Sequence, residues 1–157
     1  TSVIPNLLID GLMESINATG RPRVYICNIM TQPGETDGYT LCDHLEALRL
    51  HVGGGFPDAV VAHNGLVPED IIERYQDAGA EAVACDLNGQ AEFQSVRLIT
   101  DDFFDKEEAR RPGSRGGDDE EGLARHDSDS LARVIYDEFL KAPAAGGGGA
   151  SGGAVET

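Results

Sequence analysis

The chain has 157 residues, 40% of them apolar, and a formal net charge of −16 from 28 acidic against 12 basic side chains. That length suits one domain with a real core rather than two, and so negative a surface repels phosphate backbones and anionic lipid, which excludes nucleic-acid binding through a general basic face. No apolar run approaches a membrane span and no basic-then-apolar leader precedes a cleavage site, so a cytoplasmic protein without membrane insertion is expected.

In chain order, Pro5 suits the first turn of a helix on which Leu7, Leu8, Leu12 and Ile16 fall near one face, until the Asn17–Pro22 stretch stops it. Arg23–Ile29 reads as a buried strand running into a loop of Thr31, Gln32, Pro33, Gly34, Glu35 and Thr36. Thr40 can cap a helix whose Leu41, Leu45, Leu48 and Val52 line one stripe and which the glycines at 53–55 end. Asp58–His63 is the next strand, broken by Asn64 and Gly65, and Pro68, Glu69 and Asp70 open a helix through Ile71, Ile72 and Tyr75 to about Ala78. Glu81–Asp86 and Ser95–Thr100 are third and fourth strand candidates. A last helix starts at Asp127 or Ser128 and turns Leu131, Val134, Ile135 and Phe139 inward. Strands alternating with helices point to an α/β fold, Rossmann-like, with a mainly parallel sheet covered by helices on both faces. The domain is expected over residues 1–141. An acidic, disordered insert is expected over 101–122, where paired acids alternate with Pro and Gly, and a flexible tail over 142–157, nearly all Gly, Ala and Ser. The insert's acids lack the spacing of a calcium loop.

In open α/β sheets ligands sit beyond the carboxyl ends of the strands, which makes the 31–36 loop the first site candidate. Its bland alternative is a Pro-Gly turn joining strand to helix. Asn28 at the strand's end, with Thr31, Gln32 and Glu35, offers hydrogen bonds to sugar hydroxyls, and Asn64 at the tip of the next strand would occupy the neighbouring crevice position. Arg125, His126 and Asp127 stand before a helix N-terminus, where free N–H groups favour anions, and Arg125 adds a fork suited to a pyrophosphate. The competing reading pairs Arg125 with the acidic insert and leaves Asp127 as a cap. Tyr75 is either core with its hydroxyl at the rim or a ring that stacks on a base or sugar. His44 and His51 sit two turns apart, too far to share one metal ion unaided, and no metal site is expected. Asp43 beside His44 is equally a ribose or divalent-ion ligand and an ordinary first-turn carboxylate. Cys27, Cys42 and Cys85 are odd in number and lack Cys-x-x-Cys spacing, which argues against a disulfide framework and a zinc site. No Ser-His-Asp order, nucleophile elbow or phosphate loop is present, and catalytic residues stay unassigned.

The run Tyr25-Ile-Cys-Asn-Ile-Met-Thr-Gln-Pro-Gly-Glu-Thr36, followed by Asp43-His44 and by Arg125-His126-Asp127, resembles the gluconeogenesis factor (YvcK-like) family, in the superfamily of 2-phospho-L-lactate transferase. The opening Thr1-Ser-Val-Ile-Pro-Asn-Leu-Leu8 is similar to the family's segment just after a Gly-Pro-Gly-Ser loop, and the likeness runs to about Leu140. The family's Gly-Gly-Gly-Thr-Gly loop has no counterpart here, so the chain is expected to be roughly the second half of a longer protein. The resemblance implies a regulator that binds a sugar nucleotide such as UDP-N-acetylglucosamine, divides carbon between gluconeogenesis and the cell wall, affects cell shape, and has a regulated enzyme of amino-sugar synthesis as a partner. It implies Arg125, His126 and Tyr75 as ligand contacts and Thr36 as part of the loop signature. One alternative is a transferase of the phospholactate type, moving a phosphate-linked group from a nucleotide, with Mg²⁺ on Asp43 or Glu35. A second is a truncated remnant without activity of its own.

Overall fold

The computed structural model describes residues 3–107, 115–116, 120–121 and 124–141. Three strands, β1 (Val24–Ile26), β2 (Ala59–His63) and β3 (Arg97–Asp101), form one sheet in the order β1-β2-β3, and both pairings are parallel. The register sets Val24 and Arg97 on either side of Ala59, and Ile26 and Ile99 on either side of Val61, so alternate residues of all three strands share a face. Val60 and Ala62 on one face pack against Leu41, Leu45 and Leu48 of helix α3 (Leu41–Val52), with Tyr25, Cys27 and Leu98 alongside. Ala59 and Val61 on the other face are buried as well, and Arg97 there pairs with Glu138 and lies over the Phe139 ring at 5.9 Å. Helices therefore cover both faces, as the alternating sequence pattern predicts.

α3 is the element the sequence defines best. Thr40 closes a capping box with Asp43, its hydroxyl accepting from the Asp43 N–H while the Asp43 carboxylate accepts from the Thr40 N–H at 2.8 Å. Gly53 ends the helix at φ 87°, a conformation that favours glycine. The N-terminal helix, by contrast, is split into α1 (Val3–Leu7) and α2 (Leu12–Ala18), because Gly11 at φ 78° turns the chain left-handed between them.

The expected strand over Glu81–Asp86 is corrected. It joins no ladder of the sheet; Ala82 makes a lone antiparallel bridge with Met30, and Thr31 and Val83 donate to the Glu81 and Ile29 carbonyls. Residues 81–84 thus brace the site loop rather than extend the sheet. The expected disordered insert also begins too early. Asp101 closes β3, and Phe103 and Phe104 are buried, with Phe104 packed on Ile29, Met30 and Ile71. Further on, β4 (Arg115–Gly116) pairs antiparallel with β5 (Glu120–Glu121), and the rest of the expected insert from 108 to 122, like the expected tail over 142–157, lies outside the described residues. Helix α4 (Glu69–Asp77) starts at Pro68, and α5 (Ser128–Ile135) opens at its cap, Asp127, before widening into a π turn over Tyr136–Leu140.

Candidate functional site

The loop after β1 is built as a rigid shelf. The Cys27 N–H continues the ladder to the Val61 carbonyl, after which Ile29 and Met30 turn into the core. Thr31, 3% exposed, accepts the Glu81 N–H on its hydroxyl at 2.9 Å. The Gln32 N–H donates to the Thr36 hydroxyl at 2.7 Å, while the Glu35 and Thr36 N–H groups return to the Gln32 carbonyl. Gly34, at φ 78°, donates its N–H to the Asp37 carboxylate. Every turn of the shelf is closed by its own polar groups, which leaves Gln32, Pro33 and Glu35 exposed along its rim.

A second wall comes from residues 124–127, which run antiparallel to 103–105. Asp105 donates to the Arg125 carbonyl, Asp127 to the Phe103 carbonyl at 2.7 Å, and His126 bridges Phe104. Tyr75 of α4 accepts the Ala124 N–H on its hydroxyl, fixing the start of this wall. His126 reaches across to the residue just after β1, its Nε2 lying 3.1 Å from the Cys27 carbonyl oxygen, and burial pushes its pKa below the usual histidine value against the opposing pull of that carbonyl. Asp127 takes the Ser130 N–H at 2.9 Å, which holds its carboxyl below the usual range. With that carboxylate already at the end of α5, the helix N-terminus is a poor place for a second anion.

Between shelf and wall lies a cleft of about 560 Å³, lined by Asn28, Ile29, Met30, Thr31, Gln32, Pro33, Glu35, Tyr75, Ala124, Arg125 and His126. Seven of the nine residues singled out from sequence therefore converge on one cavity: Asn28, Thr31, Gln32, Glu35, Tyr75, Arg125 and His126. Arg125 is the sole permanent cation among the lining residues and Glu35 the sole carboxylate. Thr36 is not in the lining; it is 1% exposed and its hydroxyl serves the shelf. Asn64 is also outside it, exposed beyond β2 with its N–H on the Asp101 carbonyl. The pairing of His126 with Cys27 and the support of Ala124 by Tyr75 were not legible in advance, since both join residues far apart in the chain.

For a magnesium ion the fit is poor. Glu35 is at the rim, Asp43 is turned into the α3 cap, and among the described residues no three His, Cys, Asp or Glu side chains gather closely enough to hold a metal. The cysteines are shielded: burial pushes Cys27 up to about 12, and burial beside Asp86 pushes Cys42 up to about 12. Cys85 is likewise raised by burial. His44 is buried against Tyr25 and Tyr39, and burial lowers its pKa. No helix among the described residues is long and apolar enough to cross a membrane.

A parallel α/β sheet covered by helices is an architecture of the doubly wound α/β class, and the polar shelf and Arg-His wall lie beyond its carboxyl edge, where such sheets place ligands. The chain belongs to the 2-phospho-L-lactate transferase CofD family, whose model matches residues 1–104. It is 33% identical over 140 residues to the putative gluconeogenesis factor of Clostridium acetobutylicum, covering 89% of this chain and 28% of that one. It is 31% identical to the gluconeogenesis factor of Bacillus subtilis, covering 87% of this chain and 39% of that protein. A crystal structure of a UPF0052-family protein from Bacillus halodurans superposes with a TM-score of 0.71 at 33% identity, over 85% of this chain and 38% of that one. The chain thus spans well under half the length of these relatives.

Proposed function

We propose that the cleft binds a sugar nucleotide of the UDP-N-acetylglucosamine type, and that the protein acts through this binding as a regulator of carbon flux between gluconeogenesis and the cell wall, with consequences for cell shape. The observation that carries the reading is the convergence of polar loop, half-buried Tyr75 and exposed Arg125 on one cavity beyond the strand ends. In it Arg125 holds the diphosphate, the ring of Tyr75 borders a sugar or base, and Asn28, Gln32 and Glu35 take hydroxyls. The relatives' name, gluconeogenesis factor, supports the regulatory part. A regulated enzyme of amino-sugar synthesis is the partner this reading calls for, in a cytoplasmic setting.

The test is calorimetric titration of UDP-N-acetylglucosamine into wild type and Arg125 variants. A charge-assisted bidentate contact contributes on the order of 1.5 to 3 kcal/mol, so Arg125→Ala is expected to weaken binding by roughly one to two decades. Arg125→Lys fails nearly as badly, because one ammonium does not reproduce the fork. Wild-type affinity in Arg125→Ala with an intact circular dichroism spectrum overturns the assignment. The family model's name, 2-phospho-L-lactate transferase, favours a second reading, transfer of a phosphate-linked group. Nucleotide turnover in the presence of Mg²⁺ and an acceptor separates the two, since the regulator binds without consuming its ligand.

A further inference from the structure

The Cys27 carbonyl is an acceptor only, so the His126 nitrogen facing it at 3.1 Å must carry a hydrogen. Burial of the ring disfavours a second proton, which leaves a neutral imidazole with its lone pair on Nδ1. Among the described residues Nδ1 has no hydrogen-bond partner, yet it is not one of the buried unpaired atoms, which are Nε2 of His44, Nε of Arg49 and Nε2 of His63. The ring is half-buried and lines the cleft; with Nε2 tied to the Cys27 carbonyl and Nδ1 without a hydrogen-bond partner among the described residues, Nδ1 is the acceptor that His126 has left to offer a bound molecule.

We propose that His126 is a ligand-specificity residue of this cleft, its Nδ1 accepting a hydrogen bond from a hydroxyl or amide N–H of the bound molecule. This rests on the reading of the cleft as a sugar-nucleotide site, and deepens it by assigning polarity. Arg125 beside it is a donor only, and the Thr31 and Thr36 hydroxyls already accept within the shelf, so anion and donor groups of the ligand have separate seats one residue apart. A ligand made of phosphates alone has nothing to give His126. One with phosphates next to hydroxyl or acetamido groups satisfies both positions and is held in a single orientation.

Nitrogen-15 spectra of histidine-labelled wild type at neutral pH give the first readout: the His126 proton is expected on Nε2, with bare Nδ1 shifting when UDP-N-acetylglucosamine is added. Titration of two variants gives the second. His126→Gln can still donate to the Cys27 carbonyl but has no acceptor at the Nδ1 position, so the fold is kept and affinity falls roughly tenfold, the loss expected for one hydrogen bond. His126→Asn supplies an acceptor near Nδ1 while giving up the Cys27 contact, and is expected to bind better than His126→Gln at a lower melting temperature. A proton on Nδ1, or wild-type affinity in His126→Gln, overturns the proposal. Absence of binding to wild type strikes the sugar-nucleotide reading instead, and the tautomer measured without ligand still decides for or against an open Nδ1.

Discussion

Asp58 ties the beginnings of two strands with one carboxylate. It accepts the Arg23 backbone N–H at 2.7 Å and the Arg23 Nε and Nη2 at 2.8 and 2.7 Å, while the same guanidinium reaches Asn17 and the Gly55 carbonyl. These donors hold the Asp58 carboxyl at about 2, down from an ordinary 3.8. A carboxylate with a depressed folded pKa stabilises the fold above its unfolded pKa and loses that contribution as pH falls through the folded value. Stability should therefore fall between about pH 4 and pH 2, modestly, because the side chain is 42% exposed and solvent screens the pair. Urea midpoints measured across that window should drop less in Asp58→Asn than in wild type; equal slopes would show that other carboxylates set the acid limb. Sequence predicted neither this pair nor the partner of His126, because residue type and local spacing are silent about contacts spanning 35 and 99 positions. What it did indicate at this scale was a set of polar residues, seven of which line one cavity. It erred where a side chain's polar group is consumed by the scaffold, as with Thr36.

Elements were legible where local signals agreed with the global fold. β1, β2, β3 and α3 lie where apolar runs, the Thr40–Asp43 cap and Gly53 place them, within a few residues at the ends. The 81–86 segment misled because an apolar, β-favouring run says only that the chain is extended, not which neighbour it pairs with. Phe103 and Phe104 were missed because acids on both sides masked two core residues. α4 shows what an element contributes to the site. Its Ile71 is buried against Ile29, Met30 and Phe104, and one turn on, Tyr75 presents the hydroxyl that holds Ala124. Pure stacking would leave Tyr75→Phe unharmed. The observed hydrogen bond predicts otherwise: Tyr75→Phe should lower unfolding stability by roughly 0.5–1.5 kcal/mol in urea titration, since the Ala124 N–H loses its acceptor. It should also weaken nucleotide binding by less than Arg125→Ala does, through a loosened 124–126 wall. Unchanged stability would place Ala124 in contact with water rather than Tyr75.

Over the whole molecule, charge is the property the sequence determines without any fold. A net charge of −16 on 157 residues makes the compact state repel itself, and the ion pairs among the described residues do little against it. Arg23–Asp58, Arg97–Glu138, Lys106–Asp102 and Lys141–Asp137 all involve substantially exposed side chains, and such pairs each contribute about 0–1 kcal/mol. Added salt weakens attraction and repulsion together, but repulsion acts over the longer distances: the screening length shrinks from about 30 Å at 0.01 M to about 3 Å at 1 M. The balance therefore favours the folded state as salt rises. Sodium chloride is the proper probe, because sulfate would strengthen apolar burial by a separate route. Raising it from about 0.01 M to about 0.5 M is expected to lift the melting temperature by roughly 2–4 °C, the shift that corresponds to about 1 kcal/mol in a chain of this size. A fall in melting temperature would mean that the exposed pairs, Arg23–Asp58 first among them, outweigh the self-repulsion of the acidic surface.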